Sequence, residues 1–189
     1  YPEGFIFQTA LRQHETLARV AGEAVGTLRI VTLRDNDRPR VLYTVWKIPS
    51  PQAMSDNFWQ KGSMVAQVDD HGRVGRCRIG TGLNGHWIET HAKSGARFDT
   101  LQMPCWDAAR RIACEGHALF PEFGIVGWDM AITPDGPAIV ECNDNPFHVL
   151  WQLANGRGIR NADFMPALDA AAERSQAILD EKIAMFKTR

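Results

Sequence analysis

An aspartate at position 129 and a Glu-x-Asn run at 141–143 flank a short turn cluster, Thr133-Pro134-Asp135-Gly136-Pro137, within β-branched and apolar sequence. If Pro134, Asp135 and Gly136 make a three-residue turn with the glycine at positive φ, Thr133 pairs with Pro137, Ala131 with Ile139, and Asp129 with Glu141. Side chains alternate along a strand, so Asp129, Glu141 and Asn143 then share one face, while Trp128, Met130, Ile132, Ala138, Val140 and Cys142 share a wholly apolar one. Carboxylates placed directly opposite each other repel unless something neutralises them. A divalent cation would do so. Oxygen ligands without imidazole or thiolate suit a hard ion, and few of them, with room for water and phosphate, favour magnesium over a closed calcium cage. Such an ion would bring a nucleotide with it. Two acids solvated on an open sheet face, or one of them protonated, give the same pattern; Asn143 and the turn-stopping Pro146 weigh toward the metal. On this reading the metal-free hairpin carries a repulsion that Asp129→Asn should relieve.

The elements that position these residues follow from periodicity. The spacing predicts a strand over 4–10 and a helix over 15–20 ended by Gly22. Residues 25–33 and 41–48 are runs joined by the polar turn 34–39, and 64–68 and 74–79 form a second hairpin around Asp70-His71-Gly72. Between the hairpins, 55–62 is a loop of the kind in which functional side chains concentrate. A helix is expected over 104–120, strands over 125–133 and 137–143, and a closing amphipathic helix over 167–186. The inward stripe of that last helix should be Leu168, Ala172, Ile178 or Leu179, Ile183 and Phe186. The pattern over 86–103 is weak.

The bulk numbers bound the function. A chain of 189 residues with 44% hydrophobic content can bury one sizeable core, and the expected organisation is a single α+β domain over 1–189. A net charge of -1 offers no field for nucleic acid or an anionic membrane surface. The four cysteines show neither a CxxC pair nor zinc-finger spacing, which fits reduced thiols in a cytoplasmic protein. No run approaches the roughly 20 apolar residues that span a bilayer.

The sequence resembles the ATP-grasp superfamily, in which an acid on one strand faces a Glu-x-Asn pair on the next. The run Gly127-Trp128-Asp129, then Asp135-Gly136-Pro137, Glu141-Cys142-Asn143 and Asn145-Pro146, looks like the sugar-transfer-associated ATP-grasp family in particular. The stretch Thr27-Leu28-Arg29-Ile30-Val31-Thr32, then Asp56-Asn57-Phe58 leading to Gly62, and Val68-Asp69, agree with it. The likeness covers residues 5–153. It implies an ATP-grasp fold of mostly antiparallel sheet with flanking helices, binding ATP with one or two magnesium ions that manganese can replace. The implied reaction is the joining of a carboxylate to an amine or a glycan-related acceptor through an acyl phosphate. By the same resemblance Gln8, Thr9 and Ala10 sit where an interlobe strand meets the adenine, and Asn57 sits near the phosphates. Arg29 and Lys47 are the catalytic cations, with a guanidinium well suited to phosphate oxygens. Several peptide-ligase relatives carry an arginine two residues before the strand acid; here that residue is Gly127, so Arg29 and Lys47 must supply the charge. His91 and His148 are candidate cleft residues. The family's nucleotide-gripping lysines normally precede the adenine strand, so the chain is expected to be the C-terminal, metal-binding part of a longer enzyme. A non-catalytic nucleotide-binding module of the same fold is the alternative.

Overall fold

The computed structural model describes residues 4, 9–53, 59–80, 82 and 84–187. Among them seven strands form one sheet: β1 (Thr27–Leu33), β2 (Arg40–Ile48), β3 (Met64–Val68), β4 (Val74–Ile79), β5 (His86–Ile88), β6 (Ile125–Thr133) and β7 (Gly136–Asn143). Their order is β5-β4-β3-β2-β1-β6-β7, and all neighbours are antiparallel. Four helices complete the α+β fold: α1 (Glu15–Ala21), α2 (Trp106–Ala118), α3 (Val149–Asn155) and α4 (Met165–Lys187).

Alternation along the central strands gives the sheet two different faces. Leu28 and Ile30 of β1, Trp46 and Ile48 of β2, and Trp128, Met130 and Ile132 of β6 pack with Leu17 of α1 and Trp106, Ala109 and Ala113 of α2. The opposite face holds a smaller apolar cluster, in which Val31, Tyr43, Val45 and Val65 meet Leu150, Trp151 and Ala154 of α3. Because α3 covers only part of that face, charged side chains of β1, β2, β6 and β7 share the remainder.

The first core contains a satisfied histidine. His117 is fully buried, with Nε2 2.9 Å from the Phe123 carbonyl and Nδ1 2.8 Å from the Thr32 hydroxyl, which also accepts from Trp128 Nε1 at 2.9 Å. A neutral imidazole satisfies both contacts as the Nε2–H tautomer. Burial holds His117, His91 and His148 below the ordinary imidazole range. The folded chain therefore binds fewer protons than the unfolded chain just below about pH 6.5. The stability this contributes is complete above that pH and is lost as pH falls through the folded values. Urea unfolding at pH 8 and pH 5.5 should show a lower midpoint at the acid pH, and His117→Gln should flatten the difference.

Four elements depart from the pattern read in the sequence. Gly4, Thr9 and Ala10 lie in no strand, and residues 5–8 fall outside the described part. The helix expected over 167–186 forms, but its inward stripe does not: Ala171 is its one buried residue, and Leu179, Ile183 and Phe186 are exposed. Only the first half of α4 reaches the sheet, approaching so closely at Gly124 that a Cβ there would lie 2.8 Å from the Ala171 carbonyl oxygen. Further along, an ion pair between Lys182 and Glu122 ties the helix to a loop and buries no apolar stripe. Finally, β5 and α3 occur in segments whose patterns were too short or too weak to announce them.

Candidate functional site

The hairpin of β6 and β7 brings Asp129 opposite Glu141 by a route other than a three-residue turn. The turn is one residue tighter, with Thr133 paired to Gly136 and Met130 to Ile139. Gly136 takes φ +114, and the Thr133 hydroxyl donates to its carbonyl at 2.8 Å while accepting from Asp135 N–H at 3.2 Å. A β-bulge at Val140 then inserts one residue, which restores Asp129 opposite Glu141 and Gly127 opposite Asn143. Without that residue Glu141 would lie on the Trp128 side of the sheet. The face expected to be wholly apolar changes accordingly: Trp128, Met130 and Ile132 are buried, Ala138 lies opposite Ala131 on the acid side, and Ile139 and Val140 are exposed on the edge strand.

Asp129 is buried at 3% exposure, whereas the Glu141 side chain is 56% exposed. Arg29 lies directly opposite Asp129 on β1, and Lys47 reaches the same carboxylate from β2. Arg29 engages it with both prongs, Nε donating to Oδ1 and a terminal nitrogen donating to Oδ2 at 2.9 Å. Lys47 Nζ donates to Oδ2 at 2.7 Å. Burial by itself would raise the Asp129 pKa, but the hydrogen bond from Arg29 and the charges of Lys47 and Arg29 overcome it, so the carboxyl titrates below its usual range. Burial likewise works against the Arg29 cation, and the hydrogen bond to Asp129 together with electrostatic interactions with Asp129, Tyr43 and Glu141 more than offsets it.

This arrangement corrects the argument from opposed acids. Asp129 is already neutralised by two buried cations, so the metal-free site has no uncompensated pair of negative charges for Asp129→Asn to relieve. Glu141 is also within reach of Arg29, at 3.9 Å. Asn143 Nδ2 donates to Glu141 Oε1 at 3.2 Å, which holds the two outward-facing groups side by side. Among the described residues no three His, Cys, Asp or Glu side chains group as a metal cage.

Gly127 explains why the cation comes from β1. A Cβ on Gly127 would lie 2.7 Å from Pro146 Cβ and 3.4 Å from Arg29 Cδ, so the space an arginine at 127 would need is already filled. Arg29 reaches the acid laterally, across one strand spacing.

Of the other expected site residues, Gln8 and Asn57 lie outside the described residues, and Thr9 and Ala10 are exposed. His148 does join the acid face. Its Nδ1 lies 2.8 Å from the Tyr43 hydroxyl, and burial, followed by the charge of Arg29, lowers its pKa. His91 is buried near Phe98, with Nδ1 3.2 Å from the Ser94 hydroxyl, and serves the other core. Tyr43 was missed in the sequence, though it stands four residues before Lys47 on one strand and so shares its face. Burial pushes its hydroxyl pKa upward, which keeps it a neutral donor.

Comparison with known proteins gave one result: a family model described as sugar-transfer associated ATP-grasp matches residues 1–165. No curated protein and no solved structure matches the chain.

Proposed function

Because the chain belongs to the sugar-transfer associated ATP-grasp family, we propose that its acid face binds magnesium-ATP and activates a carboxylate as an acyl phosphate, which an amine or glycan-related acceptor then attacks. The convergence of Arg29, Lys47 and Asp129 beneath the exposed Glu141–Asn143 pair carries this reading.

The donor set fits a hard cation. Glu141 and Asn143 supply outward oxygens, and the Asp129 carboxylate, which can accept about four hydrogen bonds, is using three. Bound magnesium-ATP would supply the transferable phosphoryl group and screen its charge. The protein's own part is positioning. Asp129 holds Arg29 and Lys47 side by side, and the fork of Arg29 suits the equatorial oxygens of a phosphoryl group in flight. Lys47 adds a compact charge on the same side. Tyr43 and His148 border these cations and present neutral hydrogen-bonding groups. Phosphoryl transfer of this kind asks for placed charge and excluded water more than for a protein nucleophile. The proposed setting is the cytoplasm, where ATP is at hand.

Thermal unfolding with and without magnesium-ATP tests the reading. Ligand at a hundredfold above its Kd should stabilise the chain by about 2.7 kcal/mol, and Glu141→Gln combined with Asn143→Ala should abolish that shift while leaving the apo midpoint nearly unchanged. An undiminished shift in the double variant would remove these two residues as ligands.

A further inference from the structure

The register that joins Arg29 and Lys47 to the acids continues across the sheet. Lys47 is opposite Val65, Val65 opposite Arg78, and Arg78 opposite Trp87, so all four share the acid face. At one strand spacing per step, Arg78 stands about 10 Å from Lys47 and Trp87 about 14 Å from it, measured between backbones.

A second bulge alters this end of the face. Ala66 pairs with Cys77 and Val68 with Val74, so Gly75 and Arg76 together oppose Gln67. A Cβ on Gly75 would lie 3.0 Å from Gln67 Oε1, which favours glycine there and leaves the exposed position to Arg76. The Arg76 guanidinium lies 3.9 Å from the centre of the Trp87 ring, and that of Arg78 lies 5.7 Å from it. A cavity of about 460 Å³ opens beside Arg76 and Trp87, with Ile88 and Phe98 contributing apolar walls.

The cavity is lined by two cations, Arg76 and Arg97, and two carboxylates, but these are unevenly paired. Its two carboxylates, Glu89 and Asp99, both turn to Arg97, which bonds Asp99 at 3.0 and 2.6 Å and lies 3.9 Å from Glu89. Among the described residues no carboxylate pairs with Arg76. A guanidinium held over an indole loses little freedom when it binds, and its rim of N–H donors matches a planar or tetrahedral oxyanion. Since Arg76 covers an indole face, the site is suited to an anionic group more than to stacking of a neutral sugar.

We propose that Arg76, seated on Trp87, forms an oxyanion subsite for the acidic group of a saccharide acceptor, a uronate carboxylate or a sugar phosphate. This rests on the proposed ligase reading. Between Lys47 and Trp87 the shared face is covered by α3, which packs on the fully buried Val65, so the acceptor would reach the cations around that helix.

The test titrates the chain, without nucleotide, with trigalacturonate, glucose 1-phosphate and the neutral maltotriose, read by tryptophan fluorescence and calorimetry. At least one acidic sugar should bind saturably, with affinity at least tenfold lower in Arg76→Gln and at least tenfold lower in Trp87→Leu. The better acidic probe identifies the oxyanion as carboxylate or phosphate. Equal binding of maltotriose, unchanged affinity in Arg76→Gln, or no binding of either acidic sugar would overturn the subsite. The magnesium-ATP shift, measured on the same Arg76→Gln protein, should persist. Its absence from wild type and variant alike, alongside Arg76-dependent sugar binding, would defeat the nucleotide reading and leave the subsite standing.

Discussion

Asp129→Asn should destabilise the metal-free chain by roughly 3 kcal/mol, the usual cost of stripping one partner from a buried ion pair. Asparagine nearly matches the shape of aspartate, so no cavity opens. What changes is charge: Arg29 and Lys47, both at least nine-tenths buried, lose the carboxylate that compensates them. For Arg29 the other carboxylate in reach, Glu141, is mostly in water and 3.9 Å away, so it offsets little of the desolvation cost. Urea unfolding at pH 7 gives the number directly. Repulsion between Asp129 and Glu141 alone would make the same variant more stable, so the sign of the change decides between the two electrostatic pictures. A companion variant, Glu141→Gln, removes the exposed acid and should alter apo stability by less than about 0.5 kcal/mol.

The sheet was legible because its strands are bounded by polar turns and carry clear alternation: β3 and β4 begin and end where the pattern places them. The pairing of Asp129 with Glu141 was also legible, although for an incomplete reason. Turn chemistry at Pro134-Asp135-Gly136 allows either a two- or a three-residue connection, and only the compensating bulge at Val140 distinguishes them. Nothing about Val140 marks it as a bulge residue, since β-branched side chains serve equally in regular pairing. The cations were named from resemblance, but their partner was not. That Arg29 lies opposite Asp129 depends on β1 and β6 being neighbours, a contact between residues 100 positions apart that local periodicity does not encode. The same limitation hid the row from Lys47 to Trp87, which spans four strands. In α4 the heptad-like spacing was real, yet spacing fixes only which residues share a stripe, and the sheet ends before Ile183 and Phe186 can use it.

Arg29→Lys separates two tasks, the observed pairing with Asp129 and the phosphate contact of the proposed function. Lysine keeps the charge near Asp129 but cannot reproduce the two-pronged contact, in which Nε meets Oδ1 and a terminal nitrogen meets Oδ2 at 2.9 Å. A flexible ammonium also has no fixed plane to offer the phosphoryl oxygens. If the guanidinium stabilises charge that develops during transfer, turnover should fall about 100-fold, equivalent to about 2.7 kcal/mol of transition-state stabilisation. ADP lacks the transferred group, so its affinity should change by less than about threefold. Stability should fall modestly, because the charge pair survives while one hydrogen bond to a carboxylate is lost, a change of about 1.5–3 kcal/mol. Steady-state ATP turnover and ADP calorimetry on the same preparation provide the comparison. Parallel losses of turnover and ADP affinity would instead assign Arg29 to uniform nucleotide binding, and its contact with Asp129 would then serve to orient the cleft without acting on the moving phosphoryl group.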